Sequence, residues 1–382
     1  MKVLITLKTI DGPEFLGGVG SYFKVLKDYF PENITYFNFS HVKSKSNHKK
    51  LFQRLLNSIR FFNICRNRHN RFDLVHLNPS LSWGSVLRDG FYLLIANKSK
   101  KKTIVFFRGW HEYMVTKIDR NRAIRFFFKK VYGKADAFIV LSAAFKNKLR
   151  EWGFKQPIYI ETTVVDDRLI AASKESQRQE VSKNKINILF LARVEKAKGI
   201  YETLEAYQLL TEKQLDISLT IAGDGSYLDE IKQFASDKNL DVKFKGYVSG
   251  EEKGKTFAES DIYLFPTYHG EGMPNSVLEA MAFGLPVITR PVGGLNDFFE
   301  DGKMGFLTES KDPRVYADLI EKLITNPELR KQMSEYNAAF ARKHFLASNV
   351  AKRLENIYQE VLEGKAKDKS WMNPGGISIQ NH

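Results

Sequence analysis

Residues Tyr268–Thr289 read YHGEGMPNSVLEAMAFGLPVIT, and they follow a short apolar run, Ile262–Phe265, that Pro266 closes. Four apolar residues bounded by a breaker read as a buried strand. Gly270 and Gly272 then make a loop, and Pro274, Asn275 and Ser276 supply helix-start chemistry. Proline holds φ near its helical value, and the Asn and Ser side chains offer capping oxygens. The helix is expected to run through Glu279 and Met281 and stop at Gly284, with Pro286 opening the next strand. Such a strand–helix–strand unit requires a parallel sheet and points the helix N-terminus, with its free N–H groups, off the carboxyl edge. That is an anion site, and a nucleotide diphosphate suits it.

The same alternation continues in both directions. Strands are expected at Val3–Leu7, Leu74–Leu77, Thr103–Phe107 and Ala137–Leu141 in the first half of the chain. In the second half they are expected at Ile186–Leu191, Ile217–Ala222, Val242–Phe244 and Pro286–Thr289. Most are nearly continuous apolar runs, as parallel strands covered on both faces are. Helical patterns lie between them at Gly18–Tyr29, Lys49–Phe62, Gly199–Leu210 and Tyr227–Asp237. The expected class is α/β, with two Rossmann-like doubly wound sheets. A chain of 382 residues exceeds what one core usually supports. The polar stretch Ala171–Lys185 lacks a core-forming pattern and marks the boundary. Residues 1–170 then form one domain and 171–345 the second. Residues 346–382 supply a helix packing back on the first domain, followed by a flexible tail.

Cys65 is the only cysteine, which excludes an intrachain disulfide framework and a clustered Cys/His metal site. A reducing, cytoplasmic setting is expected. No apolar run reaches the roughly 20 residues that span a bilayer, and the opening MKVLITLKTIDGPE reads as a strand instead of a signal peptide. The net charge of +15 is uneven: residues 41–150 hold 25 Lys and Arg against 5 Asp and Glu. A half so basic faces nucleic acid or an anionic membrane, or merely keeps the protein in solution. Two of its segments mix cations with large apolar residues. One, residues 43–71, contains Leu51, Phe52, Leu55, Leu56, Ile59, Phe61 and Phe62; the other, Arg120–Lys134, contains Phe126–Phe128. Both have the composition of interfacial amphipathic helices, the plain alternative being core aromatics beside solvated cations. No zinc-finger, helix–turn–helix or RNP-like pattern occurs, so nucleic acid is not an expected partner.

Two carboxylates bracket the glycine loop, Glu271 before the helix and Glu279 eight positions on. EGMPNSVLEAMAFGLPVI, from Glu271 to Ile288, closely resembles the signature of the family 4 retaining glycosyltransferases of the GT-B fold. Further resemblances stand in family order. They are LARVEKAKG with Arg193 and Lys198, AGDGS with Gly223, FKGYV with Tyr247, and PVGG and EDGKMG within Pro291–Gly305. LGGVG, with Gly17, Gly18 and Gly20, is similar to the family's first glycine loop, and DLVH and VLSAAFKNKL match more loosely. The resemblance covers residues 1–345 and is most specific in 186–305.

The resemblance implies a metal-independent enzyme that moves a hexose from a nucleotide-diphosphate donor, with retention, to a saccharide or lipid-linked saccharide. The implied pathway is bacterial surface polysaccharide assembly, in the cytoplasm or on the inner face of an anionic membrane. The donor is a co-substrate, and no cofactor is implied. Glu271, Arg193 and Lys198 are the implied catalytic residues. Arg193 and Lys198 would stabilise the leaving phosphate in place of a metal held by an Asp-x-Asp motif, which no strand end carries. Glu279, Gly272, Met273, Pro274, Asn275, Ser276, Gly223 and Tyr247 are the implied donor-binding set, Glu279 for the ribose and Tyr247 for the base. Gly17 and Gly18 are expected on the acceptor side of a cleft between the domains. The family's His-Gly pair is replaced here: FFRGWHEY puts Arg108 at that place and His111 three residues later. Either faces the sugar, and arginine brings a fixed charge without general-base ability. A nucleotide-sugar epimerase of the same fold and a basic nucleic-acid-binding protein are the competing readings.

Overall fold

All five side chains of β1 (Val3–Leu7) are buried, as its unbroken apolar sequence requires. The computed structural model in which this is seen describes residues 1–8, 18–39, 47–67, 72–176 and 185–372. The chain divides into two compact units, Met1–Thr162 with Ala347–His382, and Thr163–Leu346.

In the first unit, β1 lies between β2 (Ile34–Asn38) and β3 (Leu74–Leu77), parallel to both. The chain passes through α1 (Gly18–Leu26) to β2, then through α2 (Asn47–Arg66) back to β3. After the two-residue β4 (Ser80–Leu81) come α3 (Trp83–Lys98) and β5 (Lys102–Phe106), which pairs with β3. A second short strand, β6 (Gly109–Trp110), pairs with β4. The helices α4 (Glu112–Arg120) and α5 (Arg122–Tyr132) lead to β7 (Ala137–Val140), and α6 (Ala143–Glu151) leads to β8 (Ile158–Ile160). Beyond α1 every step runs the same way along the sheet, so right-handed crossovers put α2, α3, α5 and α6 on one face and α1 on the other. Two of these strands lack the expected apolar run. β2 lies at the sheet edge and is only partly buried, and β8 is three residues long.

The second unit opens with α7 (Asp167–Ser176), packed on a later helix, where an unstructured boundary was expected. The first residues of that polar stretch are therefore helical, and 177–184 lie outside the described residues. Next come β9 (Ile186–Leu191), α8 (Ile200–Glu212), β10 (Ile217–Ala222), α9 (Leu228–Asp237), β11 (Val242–Gly246) and α10 (Gly250–Ala258). They are followed by β12 (Ile262–Phe265), α11 (Asn275–Ala282), β13 (Val287–Thr289) and β14 (Gly305–Leu307). The parallel sheet has the order β11-β10-β9-β12-β13-β14. Strand order grows one way from β9 and the other way from β12, so these neighbours flank the topological switch point. Two helices, α12 (Pro313–Thr325) and α13 (Pro327–His344), close the unit. Each starts with a capping side chain followed by proline: Asp312 accepts from the Arg314 N–H and Asn326 from the Leu329 N–H.

The chain then returns to the first unit as α14 (Ala347–Leu362), against α1. Of the tail expected to be flexible, 373–382 lie outside the described residues, while the first part contains β15 (Lys369–Ser370), parallel to β8, which completes the sheet β15-β8-β7-β5-β3-β1-β2. Trp371 next to it is buried, and its N–H donates to the Ile160 carbonyl at 3.1 Å. Truncating a buried tryptophan costs about 3 kcal/mol or more. Trp371→Ala is therefore expected to lower the urea midpoint of unfolding clearly, whereas a loosely attached tail would leave it unchanged.

Candidate functional site

At the switch point β9 and β12 run side by side, with Ile188 opposite Ile262 and Leu189 opposite Tyr263. Their loops are bound together by one carbonyl. The backbone N–H groups of Tyr268 and His269 both donate to the Ala197 oxygen at 3.0 Å, and the Thr267 hydroxyl donates to it at 3.3 Å. Ala197 sits in a single 3-10 turn, Lys196–Lys198, which Gly199 ends in the left-handed region before α8 begins. The turn carries Lys198 inward. Its ammonium pairs with Glu271 Oε1, the two side chains being only 9% and 17% exposed. Charges so far from water persist only when paired.

His269 Nδ1 lies 3.8 Å from the same carboxylate oxygen. Burial holds the imidazole below its ordinary value, Lys198 and Arg193 push it the same way, and Glu271 opposes them. Arg193 is exposed and forms no ion pair with a carboxylate among the described residues. The Glu271 loop is braced from behind at Gly293, whose φ is +52°; a Cβ there would stand 2.3 Å from the carbonyl oxygens of Glu271 and Gly272. Gly294 donates its N–H to Gly272 at 2.8 Å. The PVGG sequence is thus a steric requirement of the loop that presents Glu271. Gly223 ends β10 in a similar squeeze, since an added Cβ would fall 1.8 Å from the Ala192 oxygen.

The helix α11 starts at Asn275, where the Pro–Asn–Ser sequence places it. The capping expected of Asn275 and Ser276 does not occur: both residues are already helical, Pro274 holds the cap position, and no side chain caps the end. Ser276 Oγ instead shares a 2.7 Å hydrogen bond with the Tyr263 hydroxyl, which donates to the Leu191 carbonyl at 3.0 Å. The helix start is tied to the sheet and its dipole is left without a side-chain counter-charge. Met273 and Pro274 are buried and Gly272 is partly exposed. Glu279, buried as expected, has its Oε1 2.5 Å from Lys253 Nζ on α10. Tyr247 follows β11 with its ring 65% exposed.

In the first unit Gly17 lies outside the described residues, and Gly18 opens α1. Arg108 follows β5 with its guanidinium 3.7 Å from the Tyr22 ring centroid and 4.7 Å from that of Phe106. Its Nε and Nη1 are buried without a hydrogen-bond partner, and burial holds its pKa below the usual arginine value. His111 is exposed at the start of α4. His76 on β3 has its Nδ1 2.7 Å from the Tyr358 hydroxyl. Burial, and secondly Arg108, push its imidazole down to about 3.

The structure therefore brings Lys198, Glu271 and His269 together, and gives Glu279 a partner that sequence reasoning missed. Lys253 stands 26 positions from Glu279 on another helix, so no local spacing signals it. His269 lies inside the quoted loop, and its position two residues from Glu271 was the available signal.

Residues 172–340 match the family described as glycosyl transferases group 1. An uncharacterized glycosyltransferase of Methanocaldococcus jannaschii is 27% identical over 272 residues, 69% of each chain. The capsular polysaccharide biosynthesis glycosyltransferase CapM of Staphylococcus aureus is 27% identical over 235 residues, 59% of this chain and 60% of its own. Among solved structures, Anabaena HepE in complex with UDP-glucose superposes with a TM-score of 0.71 at 15% identity, covering 94% of this chain and 100% of that one. The chain has the GT-B fold, and its second unit is similar to the glycosyl transferases group 1.

The charges around His269 give a direct test by NMR. Its imidazole is expected to titrate below 6.5. Lys198→Met should raise that value and Glu271→Gln should lower it further. Because the folded-state value is depressed, the unfolded chain takes up the proton first. Any stability linked to His269 is therefore present above pH 6.5 and lost as pH falls below it.

Proposed function

We propose that this protein is a retaining, metal-independent hexosyltransferase whose donor chemistry is carried by Lys198, Arg193 and Glu271. The observation that carries the reading is the buried Lys198–Glu271 pair at the switch point, on the loop that leads into the uncapped end of α11. Cleavage of the bond between the anomeric carbon and the donor phosphate leaves negative charge on the diphosphate. Lys198, the exposed Arg193 and the N–H groups opening α11 are the cationic and dipolar groups available to take it up. In that state Lys198 exchanges its carboxylate partner for phosphate oxygens. Glu271 then turns to the sugar hydroxyls and orients the ring, and the acceptor oxygen attacks the face that the leaving phosphate vacates, its proton passing to the phosphate oxygen released by the cleaved bond. Glu279 holds the ribose hydroxyls, with the paired Lys253 holding its carboxylate in place. Tyr247 lies against the base. Gly18 and Arg108 belong to the acceptor side.

The likeness to a capsular polysaccharide enzyme supports a saccharide or lipid-linked saccharide acceptor in surface polysaccharide assembly. It also supports a place in the cytoplasm, against an anionic membrane surface. Among the described residues no helix is long and apolar enough to cross a membrane.

The test is a panel of UDP-, GDP- and ADP-sugars, screened by thermal shift and then by nucleotide release with EDTA present. One nucleotide should stabilise the protein selectively, and slow hydrolysis of its sugar should persist in EDTA. Lys198→Ala and Glu271→Gln should each reduce that hydrolysis by about 100-fold or more, the usual loss when one charge-stabilising group is removed. The transferred sugar should keep the donor's anomeric configuration, read from its proton coupling. Absence of binding to every donor, or hydrolysis abolished by EDTA and restored by magnesium, contradicts the proposal.

A further inference from the structure

Eleven large apolar side chains are exposed among the described residues, and nine of them come from α2, α3, α4 and α5. These helices pack in a row, α2 on α3, α3 on α5 and α5 on α4, over one face of the first unit's sheet. Large exposed apolar side chains gathered on neighbouring helices mark a surface that meets a partner. A groove of about 420 Å³ runs between α3 and α5. Leu87, Phe91 and Leu94 form one wall at helical spacing, and Ile124, Phe127 and Val131 form the other. The buried Tyr132 hydroxyl behind them is already satisfied, donating to the Val86 carbonyl at 2.8 Å. Leu87, Phe91 and Phe127 are 66%, 51% and 64% exposed, so the groove opens to solvent along its length.

The charges around it are mostly positive, the exposed carboxylates being Glu112 and Asp119 on α4. α2 and α5 together contain nine Lys and Arg and no Asp or Glu. At the rim Lys117 Nζ lies 5.6 Å from the Trp83 ring and Lys130 Nζ 5.7 Å from the Phe126 ring, each cation beside an aromatic edge. Two copies of this face would repel each other. A nucleic-acid backbone would satisfy the cations and leave the apolar walls against water. We propose that this face docks on a bilayer of anionic phospholipid, with a hydrocarbon chain entering the α3–α5 groove and the phosphates meeting the cations of α2 and α5. The assignment rests on the reading of a membrane-side acceptor given above and names the docking face and the lipid class.

The experiment is sedimentation of the full chain with vesicles of phosphatidylcholine alone or of phosphatidylcholine containing phosphatidylglycerol. Retention on the anionic vesicles should exceed that on neutral ones by at least tenfold and fall as salt rises. The double variant Phe91→Ser/Phe127→Ser alters exposed positions, so its thermal midpoint should match the parent. Its retention should drop at least tenfold, while its hydrolysis of donor in vesicle-free solution is unchanged. Negligible or equal retention on both vesicle types overturns the proposal, as does parent-like retention by the folded double variant. Self-association abolished by the double variant, or duplex DNA bound more tightly than vesicles, would overturn it in favour of another occupant. Retention by a protein that hydrolyses no donor leaves this face assigned and removes the transferase reading; hydrolysis without retention does the reverse.

Discussion

The ammonium of Lys198 against the carboxylate of Glu271 is the contact around which the second unit's switch point is organised. Neither group tolerates that degree of burial alone, so the two loops that carry them must arrive together. The Ala197 carbonyl, shared by three donors of the Thr267–His269 segment, fixes the same two loops through the backbone. Gly293 then allows a third segment to press on the Glu271 loop where any side chain would collide. The result is a cation, a carboxylate and a helix start held in one place by a closely packed backbone.

The same physics explains why α11 lacks a cap. A capping side chain would satisfy the helix N–H groups and remove the dipole end from the site. Ser276 is instead bonded to Tyr263, and proline occupies the cap position, which anchors the helix without occupying its donors. Glu279, one turn into the helix, is paired from the neighbouring α10 by Lys253, so the helix carries no uncompensated charge into the sheet.

The two units differ in kind. In the second, exposed cations and carboxylates are mixed, and polar groups converge on one edge of the sheet. In the first, one helical face combines exposed apolar side chains with mostly positive charge, and Arg108 lies against two rings with its Nε and Nη1 buried and unpartnered. A charge buried in this way raises the cost of the folded unit, and packing elsewhere must offset it. The seven-stranded sheet does so with an additional strand, β15, taken from the far end of the chain and closed by Trp371.

Sequence alone determined the features that depend on local chemistry. Apolar runs such as Val3–Leu7 and Ile186–Leu191 are strands because nothing else buries them on both faces. Pro274, Gly284 and Pro286 delimit α11 because their backbone preferences act within one or two residues. The loops bearing Lys198 and Glu271 were legible for the same reason. The edge strands β2 and β15 and the three-residue β8 were not, because short or half-exposed strands carry no distinctive pattern and depend on the neighbour they pair with. Nor was the helix α7, polar in sequence and stabilised by packing on α10. Only the tertiary structure decided that Lys198 meets Glu271 and that Lys253 meets Glu279, at separations of 73 and 26 residues. It also decided which aromatic residues face water: Phe128 is buried and Phe127 is not, although they are neighbours in one run of three. Periodicity gives a helix an apolar side, but only the packed neighbours determine how much of that side they cover.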